Sequence, residues 1–550
     1  MEPVAKSCCM SRRSFAKTLA AGCAVASFGG VLSACSSEGQ ESGQAAEGSA
    51  KQVIVVMGPG SEPEAGFDPF VAWGCGEHVH EPLIQSTLVA TDANLEFVND
   101  LAVDYSCEDD GMTWHFEIRN DVKFTDGEPL TAHDVAFTIN GVMKAESAQA
   151  DLSMVKEAVA LDDTHVDIHM AQPHNALLHT LAVLGIVPEH AHGADYGSNP
   201  IGSGRYMLEQ WDRGQQVILR ANPDYYGKAP LMERVVVAFM EEDAALAAVQ
   251  AAQVDIAYTS AVFADQQAQG YGLLACKSVD SRGISLPSIA SGGTKMEGEN
   301  EYPAGNDVTS DVALRQAINL AVDRQVMLDA VLSGYGTPAY SVCDSAPWAS
   351  KDMAVQADVG AAKKLLDEAG WAVGEDGIRA KDGLRAAFDL YYSAGDSVRQ
   401  ALASEFANQM KTVGIEVNVK GASWDEIYPN EFSSPVLWGW GSNSPTELYQ
   451  LNHSEGWGNY ACYESEMVDS YLDEALAVPH IEDSYELYQK AQWDGEEGIA
   501  PQGAATWCWL VNVDHLYFCK EGLKVAEQKP HPHGHGWSLV NNVDRWSWAE

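Results

Sequence analysis

Short apolar runs alternate with amphipathic helical segments through most of this chain, and this alternation constrains the fold more than any other feature. Residues 53–57 (VIVVM) form a continuous apolar run rich in β-branched residues, which is typical of a buried strand. An Ala-rich helical stretch at 241–252 precedes a second strand pattern at 254–258, and the helical stretch at 397–413 precedes a third. We therefore expect α/β lobes rather than an all-helical or all-β fold. The 550 residues suggest roughly three domains or lobes.

Several further elements follow from local patterns. Residues 122–124 alternate as a strand does, and Thr131 is the expected cap of the next helix. Residues 311–332 are predicted to form one long amphipathic helix. A helix at 361–369 is expected to end at Gly370, because glycine favours the position just after a helix.

The first 35 residues are typical of an export signal rather than of a folded segment. Arg12 and Arg13, in the string SRRSFAK, resemble the twin-arginine signal. The apolar stretch at 18–32 is too short and too weakly hydrophobic for a transmembrane helix. It ends in LSAC, which resembles a lipoprotein processing site with Cys35 as the lipidated residue. Residues 36–51 are small and polar, so we expect them to form a flexible tether. We expect the exported protein to be anchored by lipid to the outer face of the cytoplasmic membrane, or to lie in the periplasm.

Acidic residues far outnumber basic ones, 79 against 33, and the formal net charge is −46. This excess argues against binding to nucleic acid or to anionic lipid head groups, which both select basic surfaces. Seven of the 11 cysteines lie beyond Cys35, and none belongs to a C-x-x-C pair, which argues against a zinc ribbon or a thioredoxin-like site. Reduced buried thiols and a few disulfides both remain open for these seven.

Ordered strings of the chain resemble the large extracytoplasmic solute-binding proteins of ABC importers, the peptide/nickel-binding family (family 5). The strings occur in register between about residues 52 and 545, so the resemblance covers almost the whole exported body. They lie at 81–83 (EPL), 109–119, 122–135, 199–206 (NPIGSGRY), 222–227 (NPDYYG), 314–324, 334–339 and 363–371.

The resemblance implies an α/β fold of the periplasmic-binding-protein class II type, in which two lobes joined by two crossing segments close on a ligand. The implied first lobe comprises 52–84, 197–285 and 511–550, with an extra subdomain at 85–196 and a second lobe at 286–510. Most of the matching residues are expected to be scaffold. Trp114 is expected in a core, and Asp323 and Arg324 are expected to form a helix-surface or interlobe ion pair.

Three segments carry side chains that are unusual for scaffold. In the first, Trp73, His78 and His80 belong to a loop that borders the cleft in this family, and imidazoles can bind nickel or zinc. An ordinary polar loop is the alternative.

The second segment is WGWGSNSPTELY, from which Trp438, Trp440, Asn443, Glu447 and Tyr449 are candidate ligand contacts. In peptide-binding relatives a similar segment supplies an Asp that pairs with the α-amino group of the peptide. No Asp is present here, which weakens the peptide interpretation, although Asn443 retains hydrogen-bonding capacity. The alternative is a structural turn with two core tryptophans.

The third segment, HPHGHGW, places His531, His533 and His535 close together. Together with His78 and His80 they are candidate ligands for a metal ion, and the alternative is a loop of hydrogen-bonded imidazoles. Arg282, near the implied lobe crossing, is expected either to bind a ligand carboxylate or to form a salt bridge at the hinge.

The function that follows is that of a substrate-binding lipoprotein. It captures a peptide or a nickel or other metal-chelate solute and delivers it to an ABC permease with its ATPase subunits. No cofactor is required in this scheme, since the metal is the transported solute, and we expect a monomer. The alternatives are a solute sensor linked to a receptor and an exported metallohydrolase, and the second is weakened because the sequence has neither H-E-x-x-H nor G-x-S-x-G.

Overall fold

The computed structural model describes residues 51–549 except 64, 72–73, 76–77, 146, 298–299 and 535, and it describes only the backbone of 74–75 and 78–79. The predicted signal, Cys35 and nearly all of the tether therefore lie outside the described residues, as do Trp73, His535 and the side chain of His78. No helix in the described part of the chain is long and apolar enough to cross a membrane.

The described elements alternate between strands and helices, as expected. In chain order the strands are β1 (Gln52–Met57), β2 (Gly74–Cys75), β3 (His78–Val79), β4 (Val89–Thr91), β5 (Phe97–Asn99), β6 (Ala102–Cys107), β7 (Thr113–Ile118), β8 (Val155–Ala160), β9 (His165–Met170), β10 (Tyr206–Asp212), β11 (Gln216–Ala221), β12 (Arg234–Phe239), β13 (Ile256–Thr259), β14 (Tyr271–Cys276), β15 (Ser281–Ser285), β16 (Gly293–Glu297), β17 (Asn300–Ala304), β18 (Gly336–Pro338), β19 (Ala372–Val373), β20 (Arg379–Lys381), β21 (Leu384–Arg385), β22 (Ala387–Ser393), β23 (Glu416–Ala422), β24 (Val436–Trp440), β25 (Trp507–Val513), β26 (His515–Lys520), β27 (Leu523–Lys524) and β28 (Ser547–Trp548).

Helices cover the faces of these strands. They are α1 (Ala132–Val142), α2 (Leu177–Leu181), α3 (Glu242–Gln250), α4 (Val312–Ala321), α5 (Arg324–Leu332), α6 (Val359–Glu368), α7 (Ser397–Thr412), α8 (Trp424–Ile427), α9 (Thr446–Asn452), α10 (Glu466–Ala477), α11 (Ile481–Gln492) and α12 (Trp537–Val540). Short 3-10 turns lie at Pro59–Ser61, Tyr196–Ser198, Ala261–Phe263, Lys351–Met353, Tyr428–Asn430 and Val543–Arg545.

A seven-stranded sheet holds the predicted buried strand at its centre. Its order is β10-β11-β12-β1-β13-β26-β14, and β1 runs parallel to both β12 and β13. Val53 and Val55 pack into one core and Val56 into another, because successive side chains of a strand point to opposite faces. The continuous apolar run is thus explained by burial on both faces of the sheet.

A six-stranded sheet forms the second body, in the order β18-β25-β15-β24-β22-β23. One face packs against α4, α5 and α7, and the other face carries an aromatic core that includes Trp438 and Trp507. A four-stranded sheet, β6-β7-β9-β8, packs with α1 as a separate core in which Trp114 is 7% exposed, as expected for a scaffold residue.

The chain passes twice between the two large sheets, and the two passages lie side by side. Residues 277–280 connect β14 to β15, and Asp514 alone separates β25 from β26. The backbone N–H of Val513 donates to the Asp280 carbonyl at 2.8 Å, and Lys277 pairs with Asp514 at 2.8 Å. These contacts hold together the pair of crossings that the two-lobe fold requires.

Some local predictions need correction. Residues 311–332 form two helices, α4 and α5, because the Asp323 side chain caps a new helix by accepting from the Val326 N–H at 3.0 Å. Arg324 does not pair with Asp323, since it is buried and donates to the carbonyls of Ala339 and Trp509 at 2.8 and 2.7 Å. Residues 122–124 are not a strand, and only an isolated bridge links Lys123 to Pro129. The expected cap at Thr131 and the helix end before Gly370 are confirmed.

Candidate functional site

A cleft of about 260 Å³ lies between the two large sheets, beside the crossing segments. Its lining contains charged and aromatic side chains from both bodies. It includes Ser61, Glu242, Tyr258 and Ser260 from the seven-stranded body, Arg282, Tyr335, Asp396 and Val398 from the six-stranded body, and Asp280, Asp514 and His515 at the crossings.

Asp280, the last residue of the first crossing, lies at the centre of a buried polar network. Its carboxylate accepts hydrogen bonds from Arg282, from His533 Nδ1 at 2.7 Å and from His515 Nε2 at 3.0 Å. Burial by itself would raise the pKa of Asp280, but Arg282 and the two imidazoles together hold the pKa well below its ordinary value. Burying a carboxylate is costly unless the carboxylate is paired and hydrogen-bonded, and the three donors to Asp280 meet this requirement.

The histidine loop runs along both crossings. The backbone N–H of His531 donates to the Lys277 carbonyl at 2.9 Å, and its carbonyl accepts from Val279 at 2.9 Å. Its imidazole bonds to the imidazole of His515, Nδ1 to Nδ1 at 3.1 Å, and to Gln528 Oε1 at 3.1 Å. Burial lowers the pKa of His531 well below its ordinary value, so the ring is neutral. His531 is thus a component of the hinge.

His80 joins this region from the other histidine segment. A Cβ on Gly534 would lie 2.7 Å from His80 Cε1, so the ring packs directly on the glycine. Burial, and to a lesser degree the positive charge that His533 can carry, lowers the pKa of His80 to about 4. The two predicted histidine segments therefore meet in space.

Three side chains converge on the open face of β24. A Cβ on Gly439 would lie 2.5 Å from Arg399 Nη2, 2.6 Å from His533 Cε1 and 2.8 Å from Arg282 Nη1. Asp396, the N-cap of α7, accepts from Arg399 Nη1 at 2.7 Å. The absence of a side chain at position 439 is what allows the two guanidinium groups and the imidazole to meet.

Comparison with known proteins identifies the family. Residues 96–461 match the family model described as bacterial extracellular solute-binding proteins, family 5 Middle. The chain belongs to this family. The predicted family, its two-lobe α/β fold and the role of solute-binding protein are thereby confirmed.

Relatives of this family 5 protein match most of its length. Protein XP55 from Streptomyces lividans is 34% identical over 493 residues, which cover 84% of each chain. Oligopeptide-binding protein AppA from Bacillus subtilis is 28% identical over 499 residues, which cover 84% of this chain and 89% of AppA. The crystal structure of NikZ from Campylobacter jejuni in complex with Ni(L-His) superposes with a TM-score of 0.76 at 23% identity, and covers 90% of this chain and 99% of NikZ.

The predicted tryptophans of this family 5 protein are core residues. Trp438 and Trp440 are each 4% exposed and pack around Tyr460 in the aromatic core, with the Trp438 and Tyr460 ring centroids 4.2 Å apart. Tyr449 stacks on His453 and donates to Asp473 at 3.1 Å, and it does not line the cleft. These three residues follow the structural alternative given above for this segment.

The loop after Trp440 nevertheless reaches the hinge. The Asn443 amide donates to the Pro530 carbonyl at 3.4 Å, and its Oδ1 is buried without a hydrogen-bond donor among the described residues. Glu447 accepts from the Gly441 N–H at 3.1 Å, and loss of hydration raises its pKa to about 8. Glu447 thus positions the loop, while Asn443 keeps an unused acceptor.

No group of three or more His, Cys, Asp or Glu side chains is arranged to hold a metal ion in the described part of the chain. His531 and His533 use ring nitrogens to bond His515, Gln528 and Asp280. His531 and His533 thus follow the hydrogen-bonded alternative. A site made by all five histidines stays a prediction, because His535 and the side chain of His78 lie outside the described residues. The six cysteines with described side chains are free thiols.

Arg282 forms the predicted hinge salt bridge, with Asp280. Sequence reasoning missed Asp280, Asp396, Glu242 and His515. Glu242 and His515 begin a helix and a strand, and Asp280 and Asp396 directly precede a strand and a helix. Position at the start of an element is the available signal, since side chains at such ends collect where two sheets face each other.

Proposed function

We propose that this family 5 protein binds a short peptide, or a solute of similar size that resembles an amino acid, and delivers it to the permease of an ABC importer. The observation that carries the proposal is the cleft between the two large sheets, lined with charged groups from both bodies. A solute held there contacts both bodies at once, so binding favours the closed arrangement of the lobes. No covalent chemistry is part of this role.

The relatives support a peptide as the solute class. AppA of Bacillus subtilis is named an oligopeptide-binding protein, and DdpA of Escherichia coli, 25% identical over 469 residues, is named a probable D,D-dipeptide-binding protein. The cleft volume of about 260 Å³ lies just below the roughly 300–1,000 Å³ of ordinary ligand pockets. We therefore propose a solute of one to three residues.

A metal chelate is the second candidate. The fold neighbours NikZ from Campylobacter jejuni and NikA from Staphylococcus aureus are described in complex with Ni(L-His) and Ni(L-His)2. In this protein His515 lines the cleft, but its two ring nitrogens are hydrogen-bonded to His531 and Asp280, so a nickel ion there would keep the ligands of its own chelator. This candidate needs no resident metal site.

We also propose that a lipid group attaches the protein to the membrane. Cys35 is the proposed lipid attachment residue, and the 16 residues that follow it tether the folded body to the membrane. Cells that express the wild type should incorporate radiolabelled palmitate into the protein, and Cys35→Ser cells should not. Equal labelling of the two proteins would refute lipidation at Cys35.

Isothermal titration calorimetry of the purified body separates the two solute classes. We expect heat of binding with at least one of alanine, Ala-Ala and Ala-Ala-Ala, together with a rise in melting temperature. Nickel with L-histidine is the comparison titrant. Binding of the nickel complex without any response to the peptide panel would favour the second candidate and refute the first.

A further inference from the structure

Four carboxylates line the cleft, and three of them have a cation of their own. These three pairs are Asp280 with Arg282, Asp396 with Arg399, and Asp514 with Lys277. The fourth carboxylate, Glu242, accepts only from the hydroxyl groups of Ser397 and Ser260 in the described part of the chain. The cleft therefore contains one negative charge that no described cation balances.

Glu242 lies where the two bodies approach each other. It begins α3, which follows β12 of the seven-stranded sheet, whereas Ser397 begins α7, which follows β22 of the six-stranded sheet. Ser397 Oγ donates to Glu242 Oε2 at 3.0 Å and reaches Oε1 at 3.3 Å. A cation bound to Glu242 would thus lie beside groups from both bodies.

Arg282, which also lines the cleft, has an unused donor. Arg282 is 8% exposed, its Nη1 binds Asp280, and its Nε has no hydrogen-bond acceptor among the described residues. A buried N–H without an acceptor destabilises the folded protein, and an oxygen atom of a ligand would supply the missing acceptor. The aromatic ring of Tyr258 also lines the cleft, and a phenol ring favours a nearby cation.

We propose that Glu242 binds the ammonium group of the solute while Arg282 donates to an oxygen of the same solute. The cleft then selects molecules that carry an amine together with a carboxylate or carbonyl group. This inference rests on the proposed function and names the groups that recognise the solute.

The physical basis is the strength of a charge-assisted hydrogen bond in a partly dehydrated site. Burial is the main cause that raises the pKa of Glu242, and the nearby Asp396 adds to it. An ammonium group relieves both effects, because it restores a favourable partner for the ionised carboxylate. Loss of such a bond to a charged group weakens binding by roughly 10- to 100-fold.

The test compares Glu242→Gln with wild type by calorimetry at pH 7, using alanine, Ala-Ala, Ala-Ala-Ala and their N-acetyl derivatives. Gln keeps the shape of Glu and can still accept from Ser397. We expect about 10- to 100-fold weaker binding of the free amines to the variant. The N-acetyl derivatives should bind wild type and variant equally weakly. Glu241→Gln is the matched control, since Glu241 is exposed and adjacent, and it should change affinity less than twofold.

Unchanged affinity of the free amines in Glu242→Gln, or equal affinity of wild type for free and N-acetylated forms, would overturn the inference and leave the proposed function standing. If wild type binds none of the free amines, the proposed peptide function is overturned, and the inference with it. Propylamine tests the Arg282 contact. It should bind wild type at least tenfold more weakly than Ala-Ala, and equal binding would refute the donor role of Arg282.

Discussion

Asp280 and His515 join the two crossing segments, with 3.0 Å between the carboxylate Oδ2 and the imidazole Nε2. Asp280 ends the first crossing, and His515 follows the one-residue second crossing. The bond therefore fixes the two passages against each other at the place where the lobes meet. Because Asp280 also pairs with Arg282, the same carboxylate neutralises the buried guanidinium.

We expect Asp280→Asn to destabilise the protein by about 3–5 kcal/mol, because it leaves the buried charge of Arg282 without its partner. The free energy of unfolding from urea denaturation checks this. Asp121→Asn is the control, since Asp121 pairs with Arg119 on the surface and should change stability little. Equal effects of the two substitutions would contradict the central role of Asp280.

His80 predicts a dependence of stability on acid pH. Its pKa is lowered from 6.5 to about 4 in the folded protein, so between these values the unfolded chain takes up a proton that the folded protein does not. The free energy of unfolding should fall with decreasing pH by up to about 1.4 kcal/mol per pH unit from this group. His80→Gln should reduce that slope between pH 6.5 and 4, as measured by denaturation at several pH values. An unchanged slope would argue that His80 is hydrated.

Gly439 predicts a steric effect on the hinge. A methyl group there would lie 2.5–2.8 Å from Arg399, His533 and Arg282. Gly439→Ala should therefore cost about 1–3 kcal/mol of stability and weaken solute binding, since Arg282 must move. Gly272→Ala is the control, because Gly272 is also a strand residue and a Cβ there would meet nothing within 4 Å. Similar losses in the two variants would exclude the steric explanation.

Glu447 should make the stability depend on pH in the direction opposite to that expected for His80. Its raised pKa, about 8, means that the folded protein keeps a proton that the unfolded chain has lost above its ordinary value of 4.5. Its contribution to stability is full below 4.5 and is lost as the pH rises through 8. Glu447→Gln does not titrate, so it should gain on wild type by up to about 1.4 kcal/mol per pH unit between pH 5 and 8. A constant difference between the two proteins across this range would refute the raised pKa.

The fold was largely predictable from local patterns and ordered strings, whereas the site was not. The run at 53–57 and the Thr131 cap depend on residues close in sequence, and both were correct. The role of Asp280 depends on the nearby Arg282 and also on His515 and His533, which only the fold brings close to it from more than 200 residues away in the chain.

The two tryptophans of β24 also show why the sequence alone does not identify the binding site. Trp438 and Trp440 lie two residues apart, so a strand predicts one shared face. Whether that face meets solute or a neighbouring aromatic core depends on Trp507 and Tyr460, which the sequence alone does not place. The intervening Gly439 faces the charged network on the other side of the sheet.

The one-residue passage at Asp514 has a mechanical consequence. The flanking strands are anchored by ladder hydrogen bonds in two different sheets, so few backbone dihedral angles are available to change when the lobes move. When the lobes close on a solute, we therefore expect each sheet to turn as a rigid plate about an axis near Asp514 and residues 277–280. A small rotation at this axis would become a large displacement at the outer rims, so we expect the binding of one small molecule to change the outline of the whole protein.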